Sequence, residues 1–269
     1  MTPVKNQGGC GSCWAFAVTT TLEGTLGAKT DNKNVPRISE QQGVDCTLRY
    51  DSGGSYNSND WGCWGCEGCW MENHYNYLIS EGAALESDYP YVAQQLGSCN
   101  YTKGTDTFGY VANYTRIYSD LDEMKRIVAM QPIDIAISAG NSVFQNYSGG
   151  VIRASDGCPT GLDHAVTIVG YCYEGGEVDP DPTPDPEPTP DPEPAPAACD
   201  VDKWWYSCTE QANRRRELFV NGECNYWKIQ NSWGSWWGDG GFVRVEITEG
   251  NGVCGVNGYV EYADWANKY

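Results

Sequence analysis

The pattern of apolar and polar positions changes from helical to strand-like after about residue 105. In the first part, capping residues and helix-ending glycines bracket apolar stretches and predict helices over 14–24, 39–46 and 70–79. After residue 106, short runs rich in β-branched residues predict strands at 133–137, 165–170, 226–229 and 241–247. Helices followed by strands favour an α+β protein built from two subdomains.

Serine residues are placed to start two of the predicted helices. Ser12 precedes the first and Ser39 opens the second, where a side-chain oxygen can accept a hydrogen bond from an unpaired backbone N–H group. Gly82 follows the third helix as its expected end. Cys13 then falls in the first turn of the first helix, where the helix dipole favours a thiolate over a thiol. This placement suits a cysteine nucleophile.

A proline- and acid-rich segment interrupts the strand-forming half. Between 179 and 196 proline occupies every second position, so the segment cannot join a core, and its like charges extend it. About 17 residues at roughly 3.1 Å each give a solvated polyproline II rod of about 50 Å. A spacer, a glycan-like shield or a docking arm fits this composition, and tolerated disorder explains it equally well.

The formal net charge of −19 argues against nucleic acid and anionic membranes as partners. Eight of the negative charges lie between 174 and 193, with no basic residue among them. No apolar run is long enough to span a bilayer, and no signal peptide is visible.

Thirteen cysteines, an odd number, are most simply explained by one reactive thiol and six disulfides. That density indicates an oxidising compartment, and N-glycosylation sequons at Asn100, Asn113 and Asn146 agree with passage through the secretory route. A set of metal-binding cysteines is the alternative. It is disfavoured because the chain has only His74 and His164 to complete such sites. We therefore expect no metal and no cofactor.

Three motifs carry the chemistry of the chain. The run 7–16 holds Cys13 in a Cys-Gly-Ser-Cys-Trp pattern. Two further motifs follow, an Asp-His-Ala run that starts a strand and an Asn-Ser-Trp-Gly run that ends one, at 162–170 and 226–234. In this order and spacing they resemble the papain-like cysteine peptidases over nearly the whole chain. The resemblance implies a papain-like α+β fold of two lobes, one helical and one an antiparallel β-barrel, with the active site in the cleft between them.

By this resemblance, residues 1–105 form the helical lobe, which carries the nucleophile, and residues 106–269 form the β-barrel lobe, which carries the catalytic histidine and asparagine. The family joins the histidine and asparagine strands by a tight hairpin, whereas this chain has an insertion at 173–223. Because the catalytic residues lie at the strand ends away from the turn, the insertion is expected to leave the barrel roughly 25 Å from them, given about 3.3 Å per residue. The resemblance also implies an inhibitory pro-segment upstream of Met1.

The resemblance assigns Cys13 as the nucleophile, although a disulfide partner is the alternative for any one cysteine in such a chain. His164 is expected to act as general acid and base. His74, the other histidine, lies inside a predicted helix and is interpreted as a surface or packing residue.

Three more residues complete the implied catalytic set. Asn231 would accept a hydrogen bond from the imidazole and fix its orientation, and Trp233 would shield that bond from water. Gln7 matches the family's oxyanion-hole donor, which would act together with the backbone N–H group of Cys13. A surface glutamine in a loop is the plain alternative for Gln7.

Substrate selection is expected to depend on an apolar pocket. The family's Gly-Cys-x-Gly-Gly segment corresponds to 65–69, with Cys69 in place of the last glycine, so the cleft edge is either narrowed or drawn aside by a disulfide. The same residue types are also ordinary core material. The positions that match the family's S2 pocket favour a hydrophobic P2 residue in the substrate: Trp70, Met71, Ala136, Leu162 and Tyr259.

The resemblance implies three disulfides, Cys10–Cys66, Cys46–Cys99 and Cys158–Cys254. A fourth follows from position, because Cys172 lies eight residues after His164 and Cys224 lies seven before Asn231, nearly in register at the base of the hairpin. The remaining cysteines give two pairs by elimination, Cys199–Cys208 and Cys63–Cys69.

These expectations describe a secreted or lysosomal/vacuolar cysteine endopeptidase, a monomer acting on peptides or proteins. A cathepsin-type exopeptidase is one alternative, although the chain has no spare histidine pair of the kind that the resemblance associates with carboxydipeptidase action; the stretch 47–65 could still restrict the cleft. A catalytically silent binding or storage homologue is another, against which the intact catalytic set argues. A cell-surface module displaying the acidic rod is the third.

Overall fold

The computed structural model describes residues 1–30, 35–47, 63–173 and 225–266. The proline- and acid-rich rod, the course of the insertion and the Cys199–Cys208 pairing lie outside the described residues, as does Cys224 of the expected Cys172–Cys224 pair. Within the described ranges, no helix is both long enough and apolar enough to cross a membrane.

The described residues contain five α-helices, most of them in the first half of the chain: α1 (Cys13–Lys29), α2 (Glu40–Cys46), α3 (Met71–Glu81), α4 (Leu121–Val128) and α5 (Ser142–Gln145). The first three correspond to the helices expected from the sequence. The first of them runs five residues beyond its predicted end.

The helix ends follow the sequence signals at two of three positions. The Ser39 side chain accepts a hydrogen bond from the backbone N–H group of Gln42 at the start of α2, and Gly82 ends α3 with φ 88°. Ser12 does not cap α1, so that expectation was wrong. Its hydroxyl lies 2.6 Å from Tyr91 Oη instead, and this contact draws the side chain away from the helix.

Six strands form one antiparallel sheet in the order β1-β6-β2-β3-β4-β5. Their bounds are β1 (Val111–Ile117), β2 (Ile133–Ile137), β3 (His164–Tyr173), β4 (Asn225–Gln230), β5 (Phe242–Glu246) and β6 (Val260–Trp265). In this order β1 and β5 are edge strands. The described strands therefore form an open sheet, a correction to the closed barrel expected from the sequence, within the same α+β class.

Helix α1 is buried along nearly its whole length and is attached to the sheet by two side chains. Thr167 Oγ1 on β3 donates to the Ala17 carbonyl (3.2 Å), and Trp265 Nε1 on β6 donates to the Leu22 carbonyl (3.0 Å). A second core on the sheet surrounds Phe144 and Trp227. This packing brings the first residues of α1 and β3 together.

A buried ion-pair network fixes the N-terminal segment. The Lys5 ammonium lies 2.5 Å from Glu23 Oε1 and also contacts Glu40 Oε1, and all three side chains are buried. Such pairs persist in a core only when the charges are well compensated. Two residues on, the Gln7 N–H group donates to the Ser232 carbonyl (2.8 Å). The network thus holds Gln7 beside the segment that follows β4.

Candidate active site

Cys13 and His164 meet where α1 and β3 begin. The Cys13 thiol is hydrogen-bonded to the His164 imidazole and to the backbone N–H groups of Trp14 and Ala165. Burial alone would raise the pKa of the thiol, but the hydrogen bond and charge of His164 outweigh burial and lower that pKa below its ordinary value. Among the cysteines that the structure describes, Cys13 alone is free. The site therefore favours a thiolate.

The imidazole is fixed from its other side by Asn231. His164 Nε2 lies 2.8 Å from Asn231 Oδ1, which leaves Nδ1 for the contact with Cys13. Burial alone would lower the pKa of His164, but the contact with Cys13 and the hydrogen bond to Asn231 raise it above its ordinary value. The pKa of Cys13 is lowered and that of His164 is raised, so the pair favours the thiolate–imidazolium form.

Aromatic rings enclose the imidazole. The Trp233 ring lies 4.9 Å from that of His164, and Phe144 and Trp237 pack against Trp233 at 5.7 and 5.1 Å. Phe144 also meets the His164 ring edge-on at 6.4 Å. The sequence indicated Trp233 but neither Phe144 nor Trp237, although Trp237 belongs to a second Trp-Gly step just after the asparagine motif.

Gln7 reaches the site with its amide held in one orientation. Its Oε1 accepts from Ser232 Oγ (2.7 Å), and its Nε2 donates to the Cys10 carbonyl (3.0 Å). Tyr91 Oη donates to the Gln7 backbone carbonyl (2.8 Å). Tyr91 thus anchors both Gln7 and Ser12, a role that no sequence signal indicated.

Four disulfides lie within the described residues: Cys10–Cys66, Cys46–Cys99, Cys63–Cys69 and Cys158–Cys254. Cys172 is also disulfide-bonded. At the site, the first of these bonds is reinforced by a hydrogen bond from Gly11 N to the Cys66 carbonyl (2.7 Å). The segment 65–69, which forms one wall of the cleft described below and is called the 65–69 wall, is thereby fixed to the loop that leads to Cys13.

A cleft of about 550 Å³ opens beside Cys13 and His164. Five residues singled out for substrate contact line it, namely Cys69, Trp70, Met71, Ala136 and Leu162. Tyr259 lies one layer behind, stacked on Trp70 with a ring separation of 4.6 Å, and the Arg116 guanidinium lies 3.8 Å from the centre of the Tyr259 ring. Tyr259 therefore supports the pocket through Trp70.

His74 is remote from this chemistry. Its ring is completely buried and packs edge-on against Trp14 at 5.3 Å. Burial lowers the pKa of His74 to about 3, so it is neutral at ordinary pH. Of the two interpretations from the sequence, packing is the one that the structure supports.

Comparisons with known proteins identify the family of the chain. A family model described as "Papain family cysteine protease" matches residues 1–185 and 201–263. The chain belongs to the papain family of cysteine proteases. Among curated family members, macrodontain-1 of Ananas macrodontes is 32% identical over 257 residues, which are 94% of this chain and 88% of that protein.

Solved structures of this papain family show the same fold. Bromelain of Ananas comosus in complex with the E64 inhibitor superposes with a TM-score of 0.68 at 29% identity, covering 98% of this chain and 94% of that chain. The proform of the ragweed pollen allergen Amb a 11 gives 0.69 at 28% identity, covering 99% and 62%. Several curated relatives are longer, since the chain spans 54% of fruit bromelain from Ananas comosus and 60% of a cathepsin L-like proteinase from Fasciola hepatica.

Proposed function

We propose that this chain is a cysteine endopeptidase with Cys13 as nucleophile and His164 as general acid and base. The observation that carries this proposal is the hydrogen-bonded contact of the two side chains, with Asn231 orienting the far side of the imidazole. The thiolate attacks the carbonyl carbon of the scissile bond and forms a C–S bond. The imidazolium proton passes to the leaving amine as the C–N bond breaks. A water molecule, deprotonated by His164, then attacks the thioester, releases the acid and restores the thiolate.

Gln7 and the backbone N–H group of Cys13 are the proposed donors to the tetrahedral oxyanion. The Cys13 N–H group lies at a helix start, where backbone donors have no partner within the helix. The Gln7 amide nitrogen carries two hydrogens, and its hydrogen bond to the Cys10 carbonyl uses one of them. The second is available for the substrate oxygen. Removing one such donor typically lowers kcat by about 10²- to 10³-fold.

We further propose a hydrophobic P2 preference and an endopeptidase mode. The apolar side chains of Trp70, Met71, Ala136 and Leu162 on the cleft wall support the preference. The endopeptidase mode is supported by the histidine count, because the chain has only two histidines and His74 is buried.

A secretory route, ending outside the cell or in a lysosome or vacuole, is proposed for the protein. The disulfides of the described residues suit an oxidising compartment. The three sequon asparagines, Asn100, Asn113 and Asn146, are all exposed to solvent, as glycosylation requires. Enzymatic deglycosylation of protein made in a eukaryotic host should lower its mass, and no change in mass would contradict this route.

The test of the proposed activity is cleavage of a peptide library blocked at both termini. We expect cleavage at internal bonds, with large apolar residues at P2, the second residue before the scissile bond. Cys13→Ala should abolish cleavage while keeping the wild-type melting temperature, and iodoacetamide should label only Cys13 in the native protein. Cleavage surviving in Cys13→Ala would refute the nucleophile, and turnover limited to peptides with a free terminus would refute the endopeptidase mode.

A further inference from the structure

One tryptophan near the active site faces solvent. Trp233 packs on the His164 imidazole and Trp237 packs on Trp233, whereas Trp236, between them in sequence, is 78% exposed. An indole presented to water costs free energy that burial against a ligand recovers. Exposed aromatic side chains beside a cleft are accordingly candidates for ligand contact.

Trp236 lies against Gly234, the residue that follows the cleft-lining Trp233. Gly234 has φ 80°, and a Cβ atom there would lie 2.7 Å from Trp236 Nε1 and 3.6 Å from Asn6 Nδ2. The indole therefore lies against Gly234, which the Asn6 amide also approaches. Each of these residues is the sequence neighbour of a cleft-lining residue, Trp233 in one case and Gln7 in the other. Trp236 thus lies next to the segment that carries the cleft-lining Trp233.

The region around Trp233 and His164 is the one that meets the leaving amine in the proposed mechanism. In the proposed mechanism the imidazole of His164 delivers its proton to that amine. Trp233 packs on this imidazole, and Trp236 lies against Gly234, the next residue after Trp233. The apolar wall at Trp70 and Met71 is formed by a different segment, next to the acyl side of the proposed mechanism.

We propose that Trp236 selects substrates by binding a large apolar or aromatic side chain two or three residues after the scissile bond. The inference rests on the proposed function and adds a specificity residue to it. In an extended peptide, those residues lie about 5 to 10 Å beyond the scissile bond, at about 3.3 Å per residue. The proposal places such a side chain beyond the leaving amine and against Trp236.

Transfer of the acyl group from Cys13 to added peptides tests binding on the leaving-amine side of the scissile bond separately from binding on the acyl side. A peptidyl anilide, which has no amino acid after the scissile bond, forms the Cys13 thioester, and added peptide amides then compete with water for it. The acceptor amine attacks the thioester carbon, its proton passes to His164, and the C–S bond breaks as the amide forms. We expect Gly-Phe-Gly or Gly-Gly-Phe amide to outcompete Gly-Gly-Gly amide about tenfold, which corresponds to about 1.4 kcal/mol.

Variants of exposed tryptophans make the test specific. Trp236→Ala should reduce the acceptor ratio to about twofold and leave anilide hydrolysis unchanged, and Trp236→Phe should retain most of the ratio. Trp64→Ala is the matched control, because Trp64 is 50% exposed next to the 65–69 wall, and it should keep the wild-type ratio. An unchanged acceptor ratio in Trp236→Ala, or an equal loss of that ratio in Trp64→Ala, would overturn this inference and leave the proposed function standing. Absence of anilide hydrolysis by the wild type would overturn the proposed function and this inference together.

Discussion

Asp134 on β2 and Glu261 on β6 are direct cross-strand partners, and both side chains are completely buried. Burial raises the pKa of Asp134 to about 7. Burial, followed by the charges of Asp134 and Glu72, raises the pKa of Glu261 to about 9, against the opposing effect of Arg116. Tyr75 Oη on α3 donates to Asp134 Oδ1. Two acids that share one buried site cannot both ionise without a large cost.

This pair should make the protein less stable as the pH rises. Both carboxyl groups bind protons more tightly in the folded state than in the unfolded state, so the free energy of unfolding falls from about pH 4 through the raised pKa values. We expect Glu261→Gln to melt on the order of 2 to 4 °C above the wild type at pH 8 and at the wild-type temperature at pH 4. The exposed control Glu249→Gln should show no difference at either pH. A lower melting temperature for Glu261→Gln at pH 8 would contradict the repulsion.

Substitution of the two histidines should have different effects, with a loss of kcat for His164 and a loss of stability for His74. His164→Ala should lower kcat by about 10²- to 10⁴-fold, as expected for loss of a general acid and base. His74→Ala should keep kcat per titrated active site within a few-fold. It should nevertheless lose about 2–4 kcal/mol of unfolding free energy, because it leaves a cavity beside Trp14. Alkylation titration, steady-state kinetics and thermal melts check both. Equal losses of kcat in the two variants would refute the assignment of His164.

Two glycines in one loop provide a test of how the cleft wall is positioned. A Cβ atom at Gly11 would lie 2.3 Å from the Cys66 carbonyl oxygen, so Gly11→Ala must push the 65–69 wall away from Cys13. Because small misplacements at an active site are costly, we expect kcat/KM to fall tenfold or more. A Cβ atom at Gly9 would meet no other atom within 4 Å, and Gly9→Ala should stay within twofold of the wild type. Wild-type kinetics for Gly11→Ala would show that the wall does not position the substrate.

The insertion should be dispensable for small substrates. The strand β3 runs from His164 to Tyr173, and β4 returns at Asn225, so the insertion joins the ends of these strands that are away from the catalytic residues. Replacing 173–223 by a short turn, with Cys172 and Cys224 retained, should leave kcat/KM on small peptides nearly unchanged. Loss of a self-repelling segment should also cost little stability. A tenfold drop in kcat/KM for the folded variant would show that the insertion reaches the active site.

Elements with strong local signals could be predicted from the sequence. Helix α2 has its serine cap, and β2 has isoleucine at every second position, and both occur with nearly the predicted bounds. Strands β1 and β6 were missed because exposed polar residues of the sheet edge and buried acids break their apolar pattern. Ser12 fits a cap locally, but a tyrosine 79 residues away binds its hydroxyl.

The residues of the candidate site fall into the same two groups, those marked by a local sequence pattern and those that are not. Motif residues such as Cys13 and Asn231 could be chosen because their neighbours in sequence mark them. Tyr91 and Phe144 could not, because their roles depend on contacts with residues far away in the chain. Tyr259 could be assigned to the pocket, but its place behind Trp70 depends on how β6 packs against α3.

The division of the catalytic pair between α1 and β3 also controls when the thiol becomes reactive during biosynthesis. Cys13 leaves the ribosome about 150 residues ahead of His164, roughly 10 to 30 s at a typical rate of synthesis. In that interval the His164 imidazole does not yet lower the pKa of Cys13, so its thiol has the ordinary pKa of a free cysteine and exchanges no faster than its neighbour Cys10. The order of the chain thus delays activation of the nucleophile until His164 has been made.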